Sequence, residues 1–216
     1  VEETGFGLAP QKAEGASVSY DTDAQGYTTR FTNVTYGLGA IITREAIEDN
    51  QYESVATRKA SKLARSMRQT KENVHANVLN RGYTSGYTGG DGVVLFSASH
   101  PSLAGNQSNT LAVAADLSEA SLEDMLVQIR LATDSRGLRI QLEGQKLVVP
   151  AALTFEATRI LSSTNQAGTA NNDINAVRAL GLLPGGAVVW DYLTDADAFF
   201  ITTDAWKEIC QGFTAK

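Results

Sequence analysis

The sequence predicts an α+β chain with an extended β-hairpin, one long helix and a compact α/β module, in that order. Three observations carry this. Short strand-like runs lie among glycines over residues 1–36, an apolar helical period runs from about Asn50 to Arg81, and capped helices alternate with short apolar runs beyond Ser118. At 216 residues and 43% hydrophobic, the chain can bury one substantial core or two small subdomains that share an interface.

The first element is read from Ser17–Tyr20 and Tyr27–Tyr36, which alternate polar and apolar positions around the turn residues 21–26. A two-stranded hairpin is marginal in water, and this one carries few large apolar residues with which to build a core. It needs a surface to lie on. A single edge of an ordinary sheet is the plainer reading of the same pattern. Residues 37–42 (Gly-Leu-Gly-Ala-Ile-Ile) follow as a buried strand or extended run.

The long helix is predicted over about 50–81 and closed by Gly82. Tyr52, Ala56, Ala60, Leu63, Met67, Val74 and Val78 recur at spacings of three, four or seven and mark one apolar stripe. Residues 53–81 hold seven basic and two acidic side chains, a net +5 inside a chain of net −6. A solvated helix face is the usual meaning of such a run. The functional meaning is a face turned toward polyanion, where each neutralised phosphate adds a salt-dependent, sequence-independent attraction.

Residues 83–92 form a glycine-rich loop that lacks both the Gly-Lys-Ser/Thr ending of a P-loop and the GxGxxG spacing, so it reads as a mobile linker. A strand is expected over Val93–Phe96. Of the two histidines, His100 is the better catalytic candidate, because it begins a loop beside Ser97 and Ser99. No acid stands close to it in sequence to orient the ring. In an enzyme it would work with Asp191 or Asp195.

The second half is an α/β module. Ser118 caps a helix to about Thr133, with Leu117 and Leu122 as a hydrophobic staple and Leu122, Met125, Leu126 and Ile129 on one face. Strands are expected at 138–142, 146–149, 175–180, 187–192 and 198–202, with a helix opened by Pro150 and running to about Leu161. Asp191, Asp195 and Asp197 lack the Gly and terminal Glu of a calcium loop and read as turn residues.

Several classes are disfavoured. No apolar run approaches a membrane span, and no signal segment opens the chain, so neither a membrane nor export is expected. The absence of an initiator Met points to processing or to residues outside the numbered chain. The single cysteine, Cys210, has no Cys or His at metal-ligand spacing and reads as an inert thiol. A pI near 5.0 argues against a general basic nucleic-acid binder, so any contact with DNA is local. No metal or other cofactor is expected.

Four runs, taken in order, carry a family resemblance: residues 96–101 (Phe-Ser-Ala-Ser-His-Pro) with 108–111 (Ser-Asn-Thr-Leu); 147–153 (Leu-Val-Val-Pro-Ala-Ala-Leu); 172–175 (Asn-Asp-Ile-Asn); and 190–200, from Trp190 to Phe200. Together they make the chain resemble the tailed-bacteriophage major capsid family, most closely its Mu-like major head subunits. The resemblance spans nearly the whole chain and includes no catalytic signature. It implies a capsid fold: an extended hairpin loop over 1–40, a peripheral domain over 41–115 with a spine helix at about 50–81, an α/β axial domain over 116–205, and a truncated return to the peripheral domain over 206–216.

The implied function is a major head protein that self-assembles into an icosahedral shell around double-stranded phage DNA. Pentamers and hexamers of many copies, with portal, scaffold and decoration proteins as further partners, would form in the host cytoplasm and end in the virion. The loop, with Lys12, Tyr20, Tyr27 and Phe31, would lie across a neighbouring subunit, and Arg58, Lys62 and Arg65 would face the lumen and its DNA. In one branch of the family a Lys and an Asn of neighbouring subunits are cross-linked; Lys12 is the only Lys of the hairpin, and no partner matches that chemistry here. A bacterial nanocompartment shell protein is the alternative, and an α/β enzyme built on His100 is a third reading.

Overall fold

The computed structural model describes residues 3–30, 32–49, 52–166 and 173–205. These residues form a mixed α+β fold with two small sheets, and the chain divides into two compact units. One unit comprises residues 1–30 with 80–216, and the other comprises Phe31–Leu79.

Within the first unit, residues 3–30 form an arm with almost no core. Strands β1 (Glu3–Thr4) and β2 (Ala24–Gln25) pair antiparallel, with Glu3 opposite Gln25 and Thr4 opposite Ala24. The Thr4 hydroxyl extends this pairing by accepting from Ala24 N at 2.8 Å and donating to Ala24 O at 3.0 Å. Among the arm's described residues only Thr4 is buried. The expected hairpin is therefore corrected. Ser17–Tyr20 and the described part of residues 27–36 form no strand, because they have no apolar surface of their own to pair over.

The α/β module of the same unit is built on a three-stranded sheet of order β4-β3-β5. Strand β3 (Gly144–Val149) runs parallel to β4 (Ala187–Val189), with Leu147 opposite Ala187, and antiparallel to β5 (Phe200–Thr203), with Leu147 opposite Ile201. Three helices belong to this module and are labelled in chain order below as α3, α4 and α5.

Helix α3 (Glu119–Arg130) begins as the sequence requires. Ser118 Oγ accepts from Ser121 N at 3.1 Å and Ser121 Oγ accepts from Ser118 N at 2.9 Å, a reciprocal cap worth about 1 kcal/mol. Leu117, Leu122, Met125, Leu126 and Ile129 are all buried, so the staple and the apolar face are confirmed. A 3₁₀ turn (Ala151–Leu153) follows Pro150 and leads into α4 (Thr154–Ser162). The core joins Leu122, Met125, Leu147, Val149, Ala157, Phe199 and Ile201; the larger side chains each contribute about 1.5–3 kcal/mol by burial, and the Ala157 methyl about 0.8 kcal/mol. Packing around Gly144 leaves no room for a methyl group: a Cβ there would lie 2.7 Å from Leu126 Cδ2.

Two expected strands are absent from the module. Residues 138–142 make only an isolated antiparallel bridge, Arg139 with Thr133, beyond a turn in which the Asp134 carboxylate accepts from Arg136 N at 2.9 Å and Leu138 N at 2.8 Å. Gln141, at φ 54°, then breaks the extended path. Residues 175–180 form α5 (Ala176–Ala179) because Asn175 Oδ1 accepts from Arg178 N at 3.0 Å while its Nδ2 donates to the Ile160 carbonyl. A cap signal outweighed the apolar run. Val93–Phe96 makes only an isolated bridge, between Val94 and Thr88.

The second unit contains α1 (Arg44–Glu48) and the long helix α2, which runs over Tyr52–Asn80 and ends beside the unit's last residue. Its 29 residues span about 43 Å. Residues 37–42 form no strand here and are exposed, with Ile41 at 84% of its full accessibility. Lys59 Nζ donates to the Ile41 carbonyl.

Candidate assembly and polyanion-binding surfaces

The first candidate surface is a run of uncovered apolar side chains. Phe6, Leu8, Val18, Tyr20 and Tyr27 on the arm are exposed, as are Val34, Tyr36, Leu38 and Ile41 beyond it. Tyr20 reaches 94% and Leu8 82%, values at which a large apolar group gains nothing from folding. Scattered exposed leucines are ordinary, but among the described residues from 6 to 41 the large apolar side chains are all exposed, which makes the stretch a candidate interaction segment. Covering each such side chain against a partner would return about 1.5–3 kcal/mol. Of the residues assigned to this loop from sequence, Tyr20, Tyr27 and Lys12 are exposed, while Phe31 lies outside the described residues.

The second surface is one face of α2. At about 100° per residue, Arg58, Lys62 and Arg65 fall within about 60° of arc, and all three are exposed. No acid occurs between Glu53 and Glu72, so Arg58–Lys62 and Lys62–Arg65 are like-charge neighbours at i,i+4 and i,i+3. Each pair costs the isolated helix about 0.2–0.5 kcal/mol. Among the described residues none of the three has an ion-pair partner. Arg58 Nε donates to the Ser54 carbonyl at 3.2 Å, which fixes the side chain along the helix without neutralising it.

The apolar stripe of α2 is partly confirmed. Ala56, Leu63, Met67 and Val74 are half-buried, but Ala60 and Val78 are exposed. The less accessible face is turned toward Lys59, Ser66, Thr70 and Asn77 instead. Ala60 and Val78 lie at the rim of that face on the 3.6-residue repeat. Ala76 is the one described residue of α2 that is fully buried.

The histidine expected to stand alone does not. His100 Nδ1 lies 2.6 Å from Asp91 Oδ2, with side-chain exposures of 25% and 18%. Asp91 also receives Val93 N on Oδ1 at 3.1 Å, and Gly89 N donates to Val93 O at 2.8 Å. The glycine-rich loop is therefore a bonded turn and not a linker. The sequence signal was present nine residues upstream, but only the turn brings the acid back. His100 Nε2 is buried without a partner among the described residues, so no hydroxyl is placed to exchange a proton with it.

The described hydrogen bonds bring neither Asp191 nor Asp195 to His100, and Asp195 Oδ1 instead accepts from Asp197 N at 3.1 Å within its own turn. A shallow cavity of about 380 Å³ lies elsewhere in the module and is lined by Thr158, Ser162, Arg178 and Gly186 among others; none of His100, Asp191 or Asp195 lines it. The described residues contain no group of three potential metal ligands and no helix long and apolar enough to cross a membrane. Cys210 lies outside the described residues.

The molecule is thus a small mixed α+β chain whose distinctive surfaces are an uncovered apolar arm and a unipolar helix face. A family model described as phage capsid protein matches residues 26–209, most of the chain. The chain belongs to the phage capsid protein family. No curated protein and no solved structure matches it significantly.

Proposed function

We propose that this chain is a major capsid protein that acts by assembling with copies of itself into a closed icosahedral shell around double-stranded DNA, not by catalysis. Within the family, the runs at 96–101, 147–153 and 190–200 favour the Mu-like head branch. The observation that carries the assembly reading is the stretch from Phe6 to Ile41, whose described large side chains are uncovered in the single chain. Burial against neighbouring copies supplies what intrachain packing does not, and repetition of one contact by symmetry closes a shell.

In this reading residues 1–40 are the intersubunit loop, α2 is the spine of a peripheral domain, and residues 116–205 are the axial module around the pentamer and hexamer centres. The Arg58, Lys62 and Arg65 face is turned to the lumen. It neutralises phosphate without reading sequence, while a net charge of −6 keeps the whole subunit only loosely attracted to DNA. Assembly takes place in the host cytoplasm, with portal, scaffold and decoration proteins as the further partners, and the product is the virion head.

Light scattering and negative-stain imaging of the purified full-length protein test this directly. Closed particles of megadalton mass are expected. A monomer or dimer under every condition, including with the other head proteins of its phage, would overturn the reading.

A further inference from the structure

We propose that the outer face of α3 is a self-pairing surface, on which the same helix of a second copy packs antiparallel about a two-fold axis beside Val127. The contact belongs to the free subunit. It goes beyond the assembly reading and is independent of it, because a two-fold contact cannot be the one that repeats around a pentamer or hexamer centre.

α3 carries apolar side chains on two opposite sides. Ser121, Leu122, Met125, Leu126 and Ile129 are buried in the module. Ala120, Val127 and the C-cap Leu131 are exposed, Val127 at 58% and Leu131 at 53%. Together with Asp124, which is also exposed, these positions follow one another at spacings of four, three and four. At about 100° per residue they occupy about 60° of arc on the side away from the core. That is the spacing of a seam along which two helices pack.

The charges around the seam select its occupant. Glu119, Glu123 and Asp124 lie in the first half of the helix and Arg130 in its last turn. Among the described residues neither Glu123 nor Asp124 has an ion-pair partner. A parallel pair in register would set acid against acid. An antiparallel pair lays the acidic half of each copy over the basic end of the other. Glu123 and Arg130 stand about 20° apart on one flank of the seam. In an antiparallel pair like flanks meet, so with the axis midway between these two residues Glu123 of each copy faces Arg130 of the other. Two identical ion pairs then bracket the apolar contact. Arg130 Nη2 already reaches Glu143 Oε1 at 2.9 Å, but both side chains stay more than half exposed, which leaves the guanidinium open to a second carboxylate. Asp124 falls on the other flank, at the rim. The surface is thus complementary to itself. One face of a 12-residue helix buries less than the roughly 1,000 Å² of a stable interface, so the pairing is weak and depends on concentration.

Sedimentation velocity of the free full-length subunit over a concentration series tests the pairing. The average mass should rise from monomer toward dimer, and a monomer up to the highest soluble concentration would overturn the proposal. E123R and R130E each set like charges across the axis and should each weaken dimerisation at least about tenfold. Mixed together they match at both ion pairs and should form heterodimers at least as tight as the wild-type dimer, and the double variant E123R/R130E should recover the homodimer. E123R leaves the Arg130–Glu143 pair in place, so its effect is not the loss of that bond. Unchanged dimerisation of E123R, or a mixture that associates no better than the single variants, would overturn the proposal. V127R alters an exposed position and should abolish the dimer at an unchanged melting temperature; a dimer that persists in V127R lies on another face and would overturn it as well. Particle formation is scored separately, and its failure in a wild-type chain that dimerises counts against the assembly reading alone.

Discussion

Replacing Arg58, Lys62 and Arg65 by Gln removes three charges from one exposed helix face while leaving α2 intact. Gln has nearly the helix propensity of Arg and Lys, and the change relieves the like-charge neighbours 58–62 and 62–65, each by about 0.2–0.5 kcal/mol. The variant should therefore melt at the wild-type temperature or slightly above it. Its binding to duplex DNA should change through counterion release: with three fewer phosphates neutralised, the slope of log affinity against log salt falls by about 2.7. Between 50 and 200 mM salt, the wild-type protein should then lose about 40-fold more affinity than the variant. Fluorescence anisotropy with a short labelled duplex at several salt concentrations measures both slopes. Equal slopes would refute the assignment of this face to DNA, whatever the absolute affinities.

Three further outcomes follow from the geometry. Asp21 is held below its ordinary 3.8 by the N–H groups of Gly7 and Thr22, with Arg136 adding to them. Its folded-state value is depressed, so its contribution to arm docking is complete above about pH 4 and is lost as pH falls through the lowered value. Pepsin cleavage within residues 3–30 should rise below that point in the wild type, whereas D21N should show a flat profile. Leu147→Ala, at the fully buried centre of β3, should cost about 2–5 kcal/mol in urea unfolding of the α/β module. Gly144→Ala drives a methyl group to 2.7 Å from Leu126 Cδ2 and should cost about 1–3 kcal/mol, with L126A in the same chain recovering part of the loss.

The sequence was most legible where local chemistry and packing agree. The cap at Ser118, the staple of Leu117 and Leu122, the 3₁₀ and helical turns after Pro150, and the extent of α2 all follow from signals within one or two helical turns. It was least legible where pairing is long-range. Residues 138–142 and 146–149 look like a hairpin, yet β3 takes its partners about 40 and 55 residues downstream. The arm misled for a different reason: alternation without burial leaves a strand pattern with nothing to pair over. The His100–Asp91 contact was missed because it depends on the path of a glycine turn. The positive face of α2 was visible in full, since charge on an exposed helix depends on spacing alone.

The placement of β3 also bears on synthesis. Its central position means that Leu147 and Val148 stay unpaired on one flank until Phe200 and Ile201 have been translated. The finished α/β module is therefore a late event on the ribosome, even though its first helix caps itself early. In the assembly proposed above, a nascent subunit could not offer that module to neighbours before nearly all of it exists. Under that proposal the order of strands would act as a timer that separates translation from polymerisation.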